Sequence, residues 1–222
     1  MIRMDSDFIT VARDHQRTPA FSRDPNDSNR YNARMLPVIA RALKSYQPKD
    51  LPQKANASVL IPLFQNSTGT GLVLIHRARN TGPHSGQMAF PGGMVEVRDR
   101  GDLLATALRE SREEIGVQPD DVRIIGTLAQ RRTVLSSLTV KPFVGVIPYP
   151  YPFQPDVREV QGISTAALKD LVESVMVGEN PYSLPPPVYP VDGKPVWGLT
   201  AKMITELLDL IGPVIQEPRS KI

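Results

Sequence analysis

Apolar residues recur every three to four positions in two stretches of the chain, a period that predicts helices with one buried face. The first stretch is 32–45, where Pro37 predicts that the helix begins near that residue, since proline is tolerated in a first turn. The second is 200–210, and Gly212 followed by Pro213 predicts its end. The residues on the two predicted core faces are Met35, Val38, Ile39 and Leu43 in the first helix and Met203, Leu207 and Leu210 in the second.

Runs rich in β-branched and other apolar residues predict strands between these helices. They cover 57–64, 71–78, 122–129 and 138–147. The polar and small residues at 65–70 are typical of a turn, so the first two strands are predicted to pair antiparallel. Residues 157–175 predict a short strand or turn followed by a helix with Leu168, Leu171 and Val172 facing the core.

The other segments are polar or rich in proline and predict irregular structure. Residues 1–30 show no period and are predicted to be an N-terminal arm. Residues 31–222 mix strands and helices, which predicts a single α/β domain. The stretch from Pro181 to Pro190 predicts extended chain, either a surface connector or a loop that lines a substrate cleft.

Composition narrows the classes to which the protein can belong. The 222 residues are 41% hydrophobic and 22% charged, and no apolar run reaches the roughly 20 residues that a membrane span needs. There is no cysteine and there are only three histidines, so carboxylates would hold any metal, which favours Mg²⁺ or Mn²⁺. A net charge of +3 without a basic run favours an anionic small molecule over nucleic acid. We expect a cytoplasmic protein without a membrane partner.

The strongest candidate site lies on a predicted short helix that ends at Gly116. Glu110, Glu113 and Glu114 are spaced i, i+3 and i+4, which places them on one side of the helix. Like charges this close repel one another unless a cation lies among them, and a divalent metal is the simplest such cation. The alternative is an exposed face with salt bridges to residues such as Arg109.

The stretch 92–117 resembles the Nudix box, the signature of hydrolases that cleave nucleoside diphosphates linked to another moiety. The second half of the pattern is nearly complete, with Arg-Glu at 109–110, Glu-Glu at 113–114 and Gly-Val at 116–117. The first half departs from it, because Asp99 replaces a Glu and nine residues instead of seven separate Asp99 from Arg109. This leaves the roles of Asp99 and Glu96 open. The resemblance implies a Nudix-type α/β/α sandwich with a mixed β-sheet.

The resemblance and the charge pattern together suggest roles for the residues of this helix. Glu110 and Glu114, one turn apart, are predicted to bind the metal. Glu113 is predicted to be a further metal ligand or the general base. Arg109 lies four residues before Glu113 and is predicted to pair with it and fix its conformation.

A motif upstream resembles that of the coenzyme A diphosphatase branch of the same superfamily. The residues in register with it are Arg77, Ala78, Gly86, Phe90, Pro91, Gly92 and Gly93. Gly82 stands where that motif has its second arginine, and Arg79 is the nearby cation available to replace it. We predict that the protein belongs to this branch. The motif identifies the branch more firmly than it identifies the substrate.

The resemblance also implies substrate contacts and a reaction. The predicted contacts are Arg77, His84, Gly92 and Gly93, where the glycines let the backbone approach a diphosphate and His84 is alternatively a structural residue. The implied reaction is hydrolysis of coenzyme A or a derivative to an adenosine 3',5'-bisphosphate and a phosphopantetheine. The alternatives are another substrate, such as ADP-ribose, a dinucleotide or a nucleoside triphosphate, and a non-catalytic ligand-binding module. A homodimer is compatible with the resemblance.

Overall fold

A mixed sheet of eight strands lies at the centre of the described part of the chain. The computed structural model describes residues 35–79, 85–133 and 138–215, so the predicted arm at 1–30 lies outside it. The strands are β1 (Ala57–Asn66), β2 (Gly69–Arg77), β3 (Met88–Ala89), β4 (Gly92–Met94), β5 (Arg123–Thr127), β6 (Arg131–Arg132), β7 (Thr139–Val146), β8 (Val160–Ala167), β9 (Tyr189–Val191) and β10 (Lys194–Val196). The helices are α1 (Met35–Ser45), α2 (Leu103–Ile115), α3 (Leu168–Ser174) and α4 (Gly198–Ile215), with 3₁₀ turns at Val97–Asp99 and Pro119–Asp121.

The sheet combines parallel and antiparallel pairs. Its order is β3-β2-β1-β7-β5, with β4 also paired to β1, β6 to β7 and β8 to β2. Strands β1 and β7 run parallel, whereas β2 is antiparallel to both β1 and β8. Strands β9 and β10 form a separate antiparallel hairpin.

The hairpin of β1 and β2 confirms the predicted antiparallel pair, although its turn is shorter than predicted. Both strands extend into the segment 65–70, so that Asn66 is opposite Gly69. The Asn66 side chain accepts hydrogen bonds from the N–H groups of Thr68 and Gly69 at 2.9 and 3.0 Å. Asparagine therefore closes the turn with its own side chain, a common use of this residue.

Each face of the sheet has its own apolar cluster. Leu72 and Leu74 of β2 belong to a larger cluster with residues of α1 and α4, whereas Val73 and Ile75 belong to a smaller one with Ile115 of α2. This alternation follows from the period of two along a strand. Helices therefore cover both faces, and the predicted α/β/α sandwich with a mixed sheet is confirmed. None of the helices in the described ranges is long and apolar enough to cross a membrane.

The two predicted amphipathic helices are present with different ends. Helix α1 begins at Met35, and Pro37 lies in its first turn, where its missing N–H leaves no helical hydrogen bond unmade. Helix α4 continues to Ile215, so the predicted end at Gly212 and Pro213 is wrong. This proline lies in the last turn, where the loss of one hydrogen bond is offset by burial of the apolar face of the helix.

The segment 157–175 contains a longer strand than predicted. Strand β8 takes up Val160–Ala167 and pairs along most of β2, and α3 follows directly. Leu168 and Leu171 are buried as predicted, but Val172 is 47% exposed. The short helix α3 buries only one stripe of side chains, and Val172 lies beside it.

The hairpin of β9 and β10 lies at the end of the proline-rich stretch, where the sequence predicted only extended chain. Pro190 and Pro195 are opposite each other across this hairpin. Both of its strands are edges, so each proline can take a position whose N–H is not needed for pairing. The short strands β3 and β4 were not predicted either, since two or three residues show no period.

Leu207 tests the buried face of α4. Its side chain is fully buried, whereas Leu210, on the same predicted face, is only partly buried. We expect Leu207→Ala to lower the free energy of unfolding by about 2–5 kcal/mol, because it leaves a cavity. Urea unfolding followed by circular dichroism measures this loss. The exposed Lys202→Ala on the same helix should change the value by less than about 0.5 kcal/mol, and equal losses would contradict the assignment.

Candidate active site

Helix α2 presents the acidic side chains of the site, and local hydrogen bonds fix both of its ends. At the start, the Asp102 carboxylate accepts from the N–H groups of Leu104 and Ala105 at 2.8 and 3.2 Å. The end at Gly116 is as predicted, with φ 76° and an N–H that donates to the carbonyl of Arg112. These contacts pair backbone groups that a helix leaves unsatisfied, so α2 holds the acids of its last two turns in place.

Glu114 is the most deeply buried of the three predicted glutamates, with 2% of its surface exposed. Its Oε2 accepts a hydrogen bond of 2.9 Å from the Gly92 N–H, and Nη1 of Arg77 lies 3.4 Å from its Oε1. Burial raises the pKa of Glu114 to about 8. The negative charge of Glu110 also raises this pKa, whereas the hydrogen bond from Gly92 and the charge of Arg77 lower it. This carboxyl group is short of positive charge, the condition that a divalent cation relieves.

Glu110 lies one turn before Glu114 in a similar environment. Its side chain is 14% exposed, and Nη1 of Arg109 donates to its Oε1 at 2.7 Å. Burial raises the pKa of Glu110, and the charge of Arg109 opposes this effect. The two predicted metal ligands therefore lie close enough to influence each other, and both are largely removed from solvent.

Gly92 and Gly93 allow strand β4 to pack tightly between β1 and α2. A Cβ on Gly92, whose φ is 155°, would lie 2.3 Å from the carbonyl oxygen of Ser58. A Cβ on Gly93 would lie 2.4 Å from Oε1 of Glu110. Gly92 requires glycine, because a side chain there would collide with the backbone of β1, whereas a side chain at Gly93 would require the Glu110 carboxylate to move aside. Their contact with a substrate diphosphate stays a prediction.

Arg109 donates hydrogen bonds to several groups of the site, and its main partner is Asp99. Two parallel hydrogen bonds run from its Nε and Nη2 to the two Asp99 oxygens at 2.8 and 2.9 Å. Its Nη2 also donates to the carbonyl of Met94 at 3.0 Å, and its Nη1 donates to Glu113 at 3.0 Å. The predicted contact with Glu113 is present, and the pairing with Asp99 answers a question that the sequence left open.

The lengthened loop before α2 positions the Asp99 carboxylate. This residue ends the 3₁₀ turn Val97–Asp99, and its carboxylate accepts from the Glu96 N–H at 2.8 Å and from Oγ1 of Thr106 at 3.0 Å. Arg109 holds the pKa of Asp99 far below its usual range, and these two hydrogen bonds act in the same direction. Arg100 follows in the left-handed region at φ 51° and turns the chain toward α2.

Glu113 lies at the exposed rim of the site. Its side chain is 44% exposed and is held by Arg98 at 3.1 Å and by Arg109 at 3.0 Å. Arg98 belongs to the lengthened loop and also pairs with Glu96 at 2.8 Å. Glu113 is therefore less buried than Glu110 and Glu114, and its role as a metal ligand or as the general base stays a prediction.

Glu159 is a further acid at the site that the sequence analysis did not identify. Its charge raises the pKa of both Glu110 and Glu114. Its backbone carbonyl accepts a hydrogen bond of 2.8 Å from the Ala78 N–H, which joins the start of β8 to the end of β2. No motif or period marks this residue, because only the pairing of two distant strands brings it to the helix.

The donor set suits a hard divalent cation, although the described side chains are not already arranged around one point. No group of three or more histidine or acidic side chains in the described ranges is positioned to hold a metal. Arg109 and the Gly92 N–H instead engage the oxygens of Glu110 and Glu114. Carboxylate oxygens are the ligands that Mg²⁺ and Mn²⁺ prefer, so these residues fit the metal once a carboxylate turns.

Two elements of the upstream motif, Arg77 and Gly86, lie on either side of residues 80–84 in the sequence. Arg77 reaches Glu114, and Gly86 adopts φ 73°, with the side chain of Arg79 next to it. Gly82 and His84 fall outside the described residues. Of the four predicted substrate contacts, the structure thus places three, namely Arg77, Gly92 and Gly93, around the buried carboxylates.

The sequence is similar to those of known proteins. The family model of the NUDIX domain matches residues 54–162. The chain is 37% identical over 128 residues to the uncharacterized Nudix hydrolase NudL of Enterobacter sp. (strain 638), covering 58% of this chain and 65% of that protein, less than two thirds of its length. It is 34% identical over 171 residues to the NudL protein of Salmonella dublin, covering 74% of this chain and 86% of that one. The chain therefore belongs to the Nudix hydrolase family.

The chain also matches solved structures over part of its length. The Nudix hydrolase RenU from M. smegmatis superposes with a TM-score of 0.49 at 15% sequence identity, covering 75% of this chain and 91% of that one.

Substitution of Asp99 tests whether its pairing with Arg109 stabilises the folded protein. We expect Asp99→Asn to lower the free energy of unfolding at pH 7 by about 1.5–3 kcal/mol, because Arg109 loses a charged partner. The pKa of Asp99 is lower in the folded protein, so this stabilisation is full above the ordinary value of about 3.9 and is lost as the pH falls through the lowered one. Urea unfolding at pH 7 and pH 3 measures both effects, with the exposed Asp170→Asn as control. An equal loss in the two variants would contradict the role of Asp99.

Proposed function

We propose that this protein hydrolyses the diphosphate bond of coenzyme A or a derivative of it, with Mg²⁺ or Mn²⁺ as cofactor. The products would be an adenosine 3',5'-bisphosphate and a phosphopantetheine. The observation that carries the proposal is the contact of 3.4 Å between Arg77 and Glu114. It joins the motif that resembles the coenzyme A branch to the most buried carboxylate of the Nudix helix.

Arg77 is suited to bind a phosphate group. Within the described residues, its Nε is a buried donor without a hydrogen-bond partner, while its Nη1 faces Glu114. A guanidinium group can donate to two oxygens at once, and phosphate oxygens match that geometry. Arg77 would therefore bind one side of the diphosphate and keep its link to the carboxylate site.

The metal would be held by Glu110 and Glu114, with Glu113 as a further ligand or as the general base. When bound, a divalent ion neutralises the diphosphate oxygens and lowers the pKa of a bound water. Arg109 positions Glu110 and Glu113 through its fixed pairing with Asp99, and it does not itself need to contact substrate. Glu159 adds negative charge beside the two buried ligands, which favours binding of the cation.

Arg79 is the candidate for the cation that the resembling motif has at the position of Gly82. Its side chain is exposed and passes 3.8 Å from the position that a Cβ on Gly86 would take. Because Gly86 has no side chain and a left-handed backbone, it leaves room for Arg79 to reach across this turn. A charge-assisted hydrogen bond from Arg79 to a phosphate would restore about 1.5–3 kcal/mol of binding.

Glu114→Gln tests the catalytic part of the proposal. We expect metal-dependent turnover to fall at least about a hundredfold, because even outer partners of a metal site are worth 10–100-fold. Product release from coenzyme A with Mg²⁺ measures turnover, and circular dichroism shows that the fold is intact. The exposed Glu179→Gln is the matched control and should keep full turnover. Unchanged turnover in Glu114→Gln would refute the assigned site.

A substrate panel tests the specificity. We expect the highest kcat/KM for coenzyme A among coenzyme A, ADP-ribose, diadenosine polyphosphates and nucleoside triphosphates, because Arg77 and Arg79 flank the site where the resembling motif binds its substrate. Hydrolysis of each compound is followed at equal metal concentration. A clear preference for ADP-ribose, a dinucleotide or a triphosphate would contradict coenzyme A as the substrate but would still support the proposed hydrolysis reaction. Binding without turnover of any compound would favour the non-catalytic module.

A further inference from the structure

A chain of hydrogen bonds joins four side chains on the face of the sheet away from α2. Nζ of Lys194 lies 2.6 Å from Nδ1 of His76, Nε2 of His76 lies 2.7 Å from Oγ of Ser164, and that hydroxyl donates to Oδ2 of Asp192 at 2.5 Å. An ammonium group only donates, so Nδ1 must accept from Lys194. The proton of neutral His76 is then on Nε2 and is donated to Ser164.

The two ends of this chain belong to the β9–β10 hairpin, and its two middle members belong to the main sheet. Lys194 begins β10, and Asp192 lies in the turn before it at φ 48°, followed by Gly193 at φ 71°. His76 is on β2, and Ser164 is a buried residue of β8. The hydrogen bonds therefore fasten the turn of the hairpin to the sheet by way of one imidazole ring.

The surroundings of His76 favour its neutral form. Among the described residues, the charged groups that face it are Lys194 and Asp192, both from the hairpin. The nearest residues of the adjoining strands, Gly162 on β8 and Met88 on β3, carry no charge. Burial lowers the pKa of His76, Lys194 lowers it further, and Asp192 opposes them.

We propose that His76, Ser164, Asp192 and Lys194 form a proton-operated clasp that holds the β9–β10 hairpin on the sheet and opens when His76 takes up a proton. Protonation puts a hydrogen on Nδ1, so the ring can no longer accept from Lys194 and two cations face each other at hydrogen-bond distance. The proton comes from solvent, to which the ring is partly exposed, and no covalent bond changes.

The direction of the pH effect follows from linkage. The closed clasp binds a proton less well than free histidine, so closure is fully favoured above the ordinary histidine pKa of about 6.5 and is lost as the pH falls through the lower value of the closed form. Between these two pKa values, the equilibrium constant for opening should rise by up to about tenfold for each unit by which the pH falls. Below the closed-form value it should level off.

Nuclear magnetic resonance of the full chain tests the electrostatic part. The chain has only three histidines, so His76 is assigned by comparison with His76→Gln. We expect His76 to titrate below pH 6.5 in the wild type and nearer to 6.5 in Lys194→Met. The exposed Lys169→Met, on α3, is the matched control and should leave the titration unchanged. An unshifted titration in Lys194→Met would overturn the proposal.

Hydrogen exchange tests the mechanical part. The backbone amides of Val191 and Lys194 report on the hairpin, and their exchange rates are corrected for the intrinsic effect of pH. Below pH 6.5 we expect protection in the wild type to fall up to about tenfold per unit. His76→Gln can accept from Lys194 and donate to Ser164 but cannot titrate, so its hairpin protection should not vary with pH. Wild-type protection that is independent of pH would refute the clasp.

Discussion

The burial of the Glu114 carboxylate is the constraint on which the rest of the site depends. A carboxyl group with 2% exposure needs partners, and the structure supplies them from elements far apart in sequence. Gly92 on β4 donates its N–H, and Arg77 at the end of β2 approaches from the other side. Two backbone N–H groups of the segment before β8, those of Gln154 and Asp156, donate to the carbonyls of Ile115 and Glu114 at 3.0 Å. These bonds satisfy the last turn of α2 and bring the chain toward the position of Glu159.

A second level of support comes from the buried pair of Asp99 and Arg109. The lengthened loop contains the 3₁₀ turn Val97–Asp99, with reciprocal hydrogen bonds between Glu96 and Asp99. The guanidinium group of Arg109 then spans from Asp99 to Glu110 and Glu113. Asp99, which stands where the box-like motif has a glutamate, reaches Arg109 from this turn.

The local features of this fold were readable from the sequence, and the non-local ones were not. The end of α2 at Gly116, the turn at Asn66 and the spacing of Glu110 and Glu114 depend on neighbours within a few residues. The pairing of Asp99 with Arg109 depends on the path of a loop, and the approach of Glu159 depends on the pairing of β2 with β8. Helix α4 passes the predicted end for a related reason, because packing against the sheet outweighs a local stop signal.

The strand β2 links the candidate active site to the clasp through its alternation. Arg77 points toward α2 and Glu114, and the preceding residue, His76, points to the opposite face. The pairing of β2 with β8 shifts register between these two residues, so that His76 is opposite Gly162 and Arg77 is opposite Val160. A bulge of this kind bends the strand and re-aims the side chains next to it. His76 of the proposed clasp and Arg77, which we propose binds phosphate, therefore flank the same bulge on opposite faces of the sheet.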